Sequence, residues 1–89
     1  MSDMPQYQIG EEFFRGVIRE PDGPGEKLVV GKANEALARR IAIKEAEKLN
    51  WDWIVERCRA IETGHDTAFT VIEQWSSVSG HESFEGEKS

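Results

Sequence analysis

Apolar and polar residues alternate along Glu12 to Glu20, so an extended chain carries Phe14 and Ile18 on one side and Phe13, Arg15, Val17 and Arg19 on the other. This period of two predicts a strand, with Gly16 marking a bulge or a close backbone approach. Pro21-Asp22-Gly23-Pro24-Gly25 then combines a residue that presets one backbone dihedral with one that accepts positive φ. That turn separates the first strand from a second at Lys27 to Gly31 and predicts a β-hairpin.

The period changes at Asn34. Its side chain suits a helix N-cap, Glu35 complements the positive end of the helix dipole, and residues 35 to 49 contain neither Gly nor Pro. At 100° per residue, Leu37, Ala38, Ile41, Ala42, Ala46 and Leu49 form one apolar arc, and Arg40, Lys44 and Lys48 follow each other on an adjacent one. The small alanines allow the helix to sit close on a sheet. Glu45 falls inside the arc, which requires it to lie at a wet edge or to pair with an arginine.

Residues 51 to 62 fit two periods. Trp51, Ile54, Val55, Cys58 and Ile61 suit a helix, whereas the alternation of Trp51, Trp53, Val55, Arg57, Arg59 and Ile61 suits a strand. The aromatic and β-branched content favours the strand. A turn at Thr63-Gly64-His65-Asp66 precedes a further strand from Thr67 to Trp75, with Phe69, Val71 and Trp75 opposite Ala68, Thr70 and Ile72. The order is ββαββ, an α+β fold in which one helix packs on one face of an antiparallel sheet. Residues 1–10 read as a flexible N-terminus and 11–75 as a single domain. From Ser76 the segment SSVSGHESFEGEKS has no periodicity and reads as a disordered acidic tail.

Composition narrows the class. A chain of 89 residues forms one small domain, which buries only about 60% of its unfolded surface. Three Trp and four Phe argue for a packed core despite 31% charged residues. The lone Cys58 excludes an internal disulfide and points to a reducing compartment. Met1 to Gly10 lacks a cationic start followed by an apolar run, and there is no apolar run of about 18 residues. A cytoplasmic protein is the expectation.

Net charge is -6, yet residues 32 to 50 hold Lys32, Arg39, Arg40, Lys44 and Lys48 against Glu35, Glu45 and Glu47. Catalysis has little to draw on: Cys58, His65 and Asp66 are the nucleophile, base and orienter types within reach, and Cys58 reads as core. No metal-ligand spacing or cofactor motif is present, and no cofactor is expected.

One helix shields one face of a sheet of about four strands. With Phe14, Ile18, Ile54, Cys58 and Ala60 beneath the helix, the other face carries Phe13, Arg15, Arg19, Trp51, Trp53, Arg57, Arg59 and Trp75. Aromatics mixed with arginine favour interface hot spots, so Arg15, Arg19, Trp53, Arg57 and Arg59 are candidate partner-binding residues. The acidic loop residues Glu20, Asp22 and Glu26 are a second candidate set, able to imitate the phosphates of a duplex. On the competing reading the aromatics complete the core, the arginines pair with Glu12, Glu56 and Glu73, and the acidic excess serves solubility.

In size, acidity, lack of a catalytic motif and ββαββ order, with segments such as ANEALARRIAIKEAEKLN and TAFTVIEQW, the chain resembles the small antidefence proteins of bacteriophages, the anti-CRISPR proteins among them. The resemblance covers Glu11 to Trp75 and carries no residue-level site with it. It implies a stoichiometric inhibitor that binds a large host protein or ribonucleoprotein complex and blocks nucleic-acid binding or nuclease recruitment. The alternatives are a single-stranded nucleic-acid binder using the Arg/Trp face, which the negative total charge opposes, and a structural homodimer.

Overall fold

The computed structural model describes residues 9–62 and 68–84. Strand β1 (Glu12–Arg19) turns into β2 (Glu26–Ala33), followed by α1 (Glu35–Leu49), β3 (Asp52–Glu62), β4 (Ala68–Ser76) and β5 (Gly80–Ser83). One antiparallel sheet contains all the strands, in the order β2-β1-β3-β4-β5. Because β2 and β3 flank β1 and both run against it, the connection between them has to cross β1, and α1 makes that crossing. The α+β class and the antiparallel sheet under one helix are as expected, with a fifth strand added.

Helix α1 begins at the cap residue that suggested it. Asn34 is extended (φ -88°, ψ 169°), and its Oδ1 accepts a hydrogen bond from the Leu37 amide at 2.8 Å. Asn50 closes the other end in the left-handed region at φ 62°, its amide donating back to Ala46 and Glu47 carbonyls. Ala38, Ala42 and Ala46 are the buried positions of the arc, whereas Leu49 is exposed. Glu45 lies at a half-buried edge and pairs with Lys48 rather than with an arginine.

The alanines face Gly16, where a Cβ would meet Val30 Cγ1 at 2.7 Å, the Ala38 carbonyl oxygen at 3.0 Å and Ala42 Cβ at 3.2 Å. Gly16 is therefore the point of closest approach between helix and sheet. It also lies between two register shifts against β2, where two extra β2 residues are accommodated.

Strands β1 and β3 pair without interruption, and their register assigns the faces. Glu12, Phe14, Gly16 and Ile18 oppose Arg59, Arg57, Val55 and Trp53; Phe13, Arg15, Val17 and Arg19 oppose Cys58, Glu56, Ile54 and Asp52. The helix side gathers Ala38, Ala42 and Val55 with Phe14, Val29, Val30, Trp53 and Trp75 packed around them. Ile54, Cys58 and Ala60 accordingly do not lie beneath the helix with Phe14, as the sequence reading had placed them. Choosing the strand for residues 51 to 62 was right, but its two faces were interchanged relative to β1. Apolar side chains on both sides of β3 left alternation unable to distinguish them.

The side away from the helix has its own core. Phe13, Cys58 and Ala60 form a buried cluster with Phe69 and Val71 against it, and Val17, Ile54 and Ile72 are also buried. The Phe13 and Phe69 rings meet edge to face at 5.6 Å, and the Arg15 guanidinium lies 4.8 Å from the Phe69 ring centre. The center of this face is thus already filled, contrary to the expectation of an open surface.

The tail expected from Ser76 contains β5. Gly80 adopts φ 73° at the start of the strand, the Ser79 amide donates to Ser76 Oγ at 2.9 Å, and the Phe84 amide donates to the Ile72 carbonyl at 3.0 Å. Residues 1–8, 63–67 and 85–89 lie outside the described residues, and with them most of the expected flexible N-terminus, the expected turn with His65 and Asp66, and the end of the expected tail.

Candidate functional site

The arginine and tryptophan set inferred from sequence is divided by the sheet. Arg15 and Arg19 belong to the side away from α1; Trp53, Arg57 and Arg59 belong to the helix side. The acidic set also changes character. Glu20 folds back so that its Oε1 accepts the Gly25 amide at 3.3 Å, and Glu26 pairs with Arg19 at 3.2 Å. Asp22 remains exposed in the turn. The three carboxylates do not form a free acidic row.

A different constellation forms on the helix side. Helix α1 rests over β1, β2 and β3, so β4 and β5 extend beyond its cover. Arg39, on the flank of the helix nearest those strands, places its guanidinium carbon 5.8 Å from the Trp53 ring centre and 5.6 Å from that of Trp75. Its Nη2 donates to Glu35 Oε2 at 2.8 Å, one turn back on the helix. Trp75 stacks on His81 of β5 at 5.3 Å with 19° between planes, and it meets Phe14 at 6.1 Å. The two tryptophans and Arg39 are each partly exposed.

A chain of charges borders these rings. His81 Nε2 lies 2.9 Å from Glu73 Oε2, Glu73 Oε1 accepts from Arg57 Nη1 at 2.8 Å, and Arg57 Nη2 and Nε donate to Glu12 Oε1 at 2.6 and 2.9 Å. Arg59 Nη2 donates to the other Glu12 oxygen at 3.1 Å. Hydrogen bonds from Arg57, then Arg59, hold the Glu12 carboxyl below the usual range; those from Arg57, then His81, do the same for Glu73. The same bonds, with Glu73 before Glu12, raise Arg57. These are the pairings with Glu12 and Glu73 that the competing reading had anticipated. Guanidinium groups already donating to carboxylates have fewer N–H groups left for phosphate oxygens, which weighs against the nucleic-acid alternative.

On the opposite side, Glu56 Oε1 is sealed from solvent without a hydrogen bond, although Arg15 Nη1 stands 3.5 Å away. Burial raises its carboxyl above the ordinary value, and the charge of Arg15 offsets part of that shift. Its neighbour Cys58 is fully buried; burial first, and then the charge of Glu56, push the thiol up to about 12. A thiol so held is protonated at neutral pH and is not a nucleophile.

Sequence reasoning identified Trp53 and Arg57 but left Arg39, Glu73 and His81 out of the candidate site. For Arg39 the signal was present, since the Glu35/Arg39 spacing fixes the guanidinium along the helix and the N-cap fixes the helix phase. His81 gave none, because its position depends on a strand that the local sequence does not announce. Among the described residues no group of three or more His, Cys, Asp and Glu side chains is arranged to hold a metal ion, and no helix is long and apolar enough to cross a membrane. Comparison with protein-family models, curated proteins and solved structures finds none that matches this chain.

Proposed function

We propose that this chain is a non-enzymatic protein-binding module, and within that class a phage-encoded stoichiometric inhibitor of a bacterial defence complex. The observation that carries the reading is the assembly of Arg39 of α1, Trp53 of β3, Trp75 of β4 and His81 of β5 at the border where the helix stops covering the sheet. Tryptophan and arginine dominate interface hot spots because they combine large buried area with directed hydrogen bonds. Here the side chains are held in place before any partner arrives: Arg39 by Glu35 and two rings, Trp75 by Phe14 and His81. Such preorganisation lowers the entropy lost on binding.

The edges of the sheet favour a foreign partner over a second copy through strand pairing. Outer strand β2 accommodates two extra residues, and outer strand β5 is only 4 residues long. Irregular or short edge strands discourage edge-to-edge association. The engaged state of Arg57 and Arg59 likewise favours a protein over a single nucleic-acid strand.

The test is phage plating on bacteria that express the chain together with an active defence system. Plaque recovery is expected with the parent chain and is expected to disappear with Trp75→Ala and with Arg39→Ala, each checked for native circular dichroism. Full recovery with both folded variants would remove this assembly from the reading. Absence of recovery with the parent chain across CRISPR-type systems would remove the inhibitor.

A further inference from the structure

Two cations on α1 differ from most of the others. Arg15, Arg19, Lys32, Arg39, Lys48, Arg57 and Arg59 each have a carboxylate partner. Arg40 and Lys44 have none among the described residues, although they stand one turn apart on the exposed surface of the helix. Like charges at this spacing repel by a few tenths of a kcal/mol in an isolated helix, so the arrangement contributes nothing to folding. Arg40 also borders an open depression of about 720 Å³, lined with Asn34, Glu35, Ala36, Arg39 and Ile43. Apolar Ala36 and Ile43 therefore lie beside unbalanced positive charge.

We propose that this flank of α1 docks an acidic and apolar peptide segment of the partner protein. Carboxylates of the segment meet Arg40 and Lys44, and an apolar side chain enters the depression over Ala36 and Ile43. The proposal rests on the protein-binding reading above and specifies the chemistry of the partner. Charge complementarity selects this occupant: among the described residues both cations lack a counterion, in a chain of net charge -6. A nucleic-acid strand fits less well. Ala36 and Ile43 offer no ring for base stacking, Glu35 would repel phosphate within the same depression, and the remaining surface is acidic.

The probe is a short fluorescein-labelled peptide alternating glutamate pairs with phenylalanine, titrated with the full chain and followed by anisotropy at about 50 and 200 mM salt, a range over which the screening length shortens markedly. Saturable binding is expected, weaker at the higher salt and reduced at least about tenfold by the double change Arg40→Glu, Lys44→Glu, as like-charge contact demands. Arg40→Gln with Lys44→Gln, which removes charge without reversing it, is expected to fall between. Absence of saturable binding, or binding indifferent to both double variants, overturns the proposal. Equal or tighter binding of a single-stranded oligonucleotide of the same charge overturns it as well. Failure of the peptide while Trp75→Ala still abolishes plaque recovery would discard this docking surface and leave the protein-binding reading in place.

Discussion

Glu56 is a carboxylate held where ionisation costs free energy, because one of its oxygens is sealed from water without a hydrogen bond and the Arg15 charge 3.5 Å away offsets only part of that cost. Its folded pKa lies above the unfolded one, so its contribution to stability is fully present in acid and is lost as pH rises through the folded value. Glu56→Gln is therefore expected to raise the urea midpoint at neutral pH, with the gain shrinking to nothing below the ordinary carboxylate range. A gain that stayed constant with pH would assign the effect to packing instead. Glu12 and Glu73 behave in the opposite sense: their lowered folded values stabilise above the ordinary carboxylate pKa, and that contribution disappears as pH falls through them. In the Glu56→Gln chain acid destabilisation should thus begin from a higher plateau and fall more steeply. At the helix start, Asn34→Ala removes the acceptor for the Leu37 amide and should cost about 1 kcal/mol in chemical denaturation, whereas Asn34→Asp retains it.

The contact between α1 and β1 is governed by the absence of a side chain at Gly16. Gly16→Ala would drive a methyl group into Val30, which can rotate, and into the Ala38 carbonyl and Ala42, which cannot move without shifting the helix. Overpacking of this kind costs about 1 to 3 kcal/mol, measurable by thermal or urea unfolding. Unchanged stability would mean that the helix slides freely. The helix itself was readable from its sequence, since cap and arc act within a few residues of one another, although Leu49 at the end of the arc is exposed. The first hairpin was readable for the same reason. The pairing of faces was not: whether Phe14 meets Arg57 or Cys58 depends on the register between strands nearly half the chain apart, and β3 is apolar on both sides. Strand β5 was equally hidden, as Gly80–Ser83 is exposed throughout and is secured by the Trp75/His81 stack and the Glu73 contact. His81→Ala should therefore alter tryptophan fluorescence and speed amide exchange in β5 while leaving β1 and β3 protected.

At the scale of the molecule, most of the arginines among the described residues are balanced by carboxylates. The arginines on both sides of the sheet are engaged by carboxylates, which leaves them fewer N–H groups for the phosphates of a single strand. Single-stranded DNA added at about 50 mM salt should give no saturable quenching of tryptophan fluorescence; quenching that weakens toward 200 mM would revive the single-strand reading. The same distribution of side chains makes β3 a wall shared by two cores, with Val55 against the helix alanines and Cys58 against Phe13. Displacing β3 by one residue would exchange the two faces at once, sending Glu56 toward the alanines and Val55 toward the phenylalanines. No intermediate alignment satisfies one core while sacrificing only the other. The central strand thus acts as a lock with two keys, since a shift of one residue unseats both cores together.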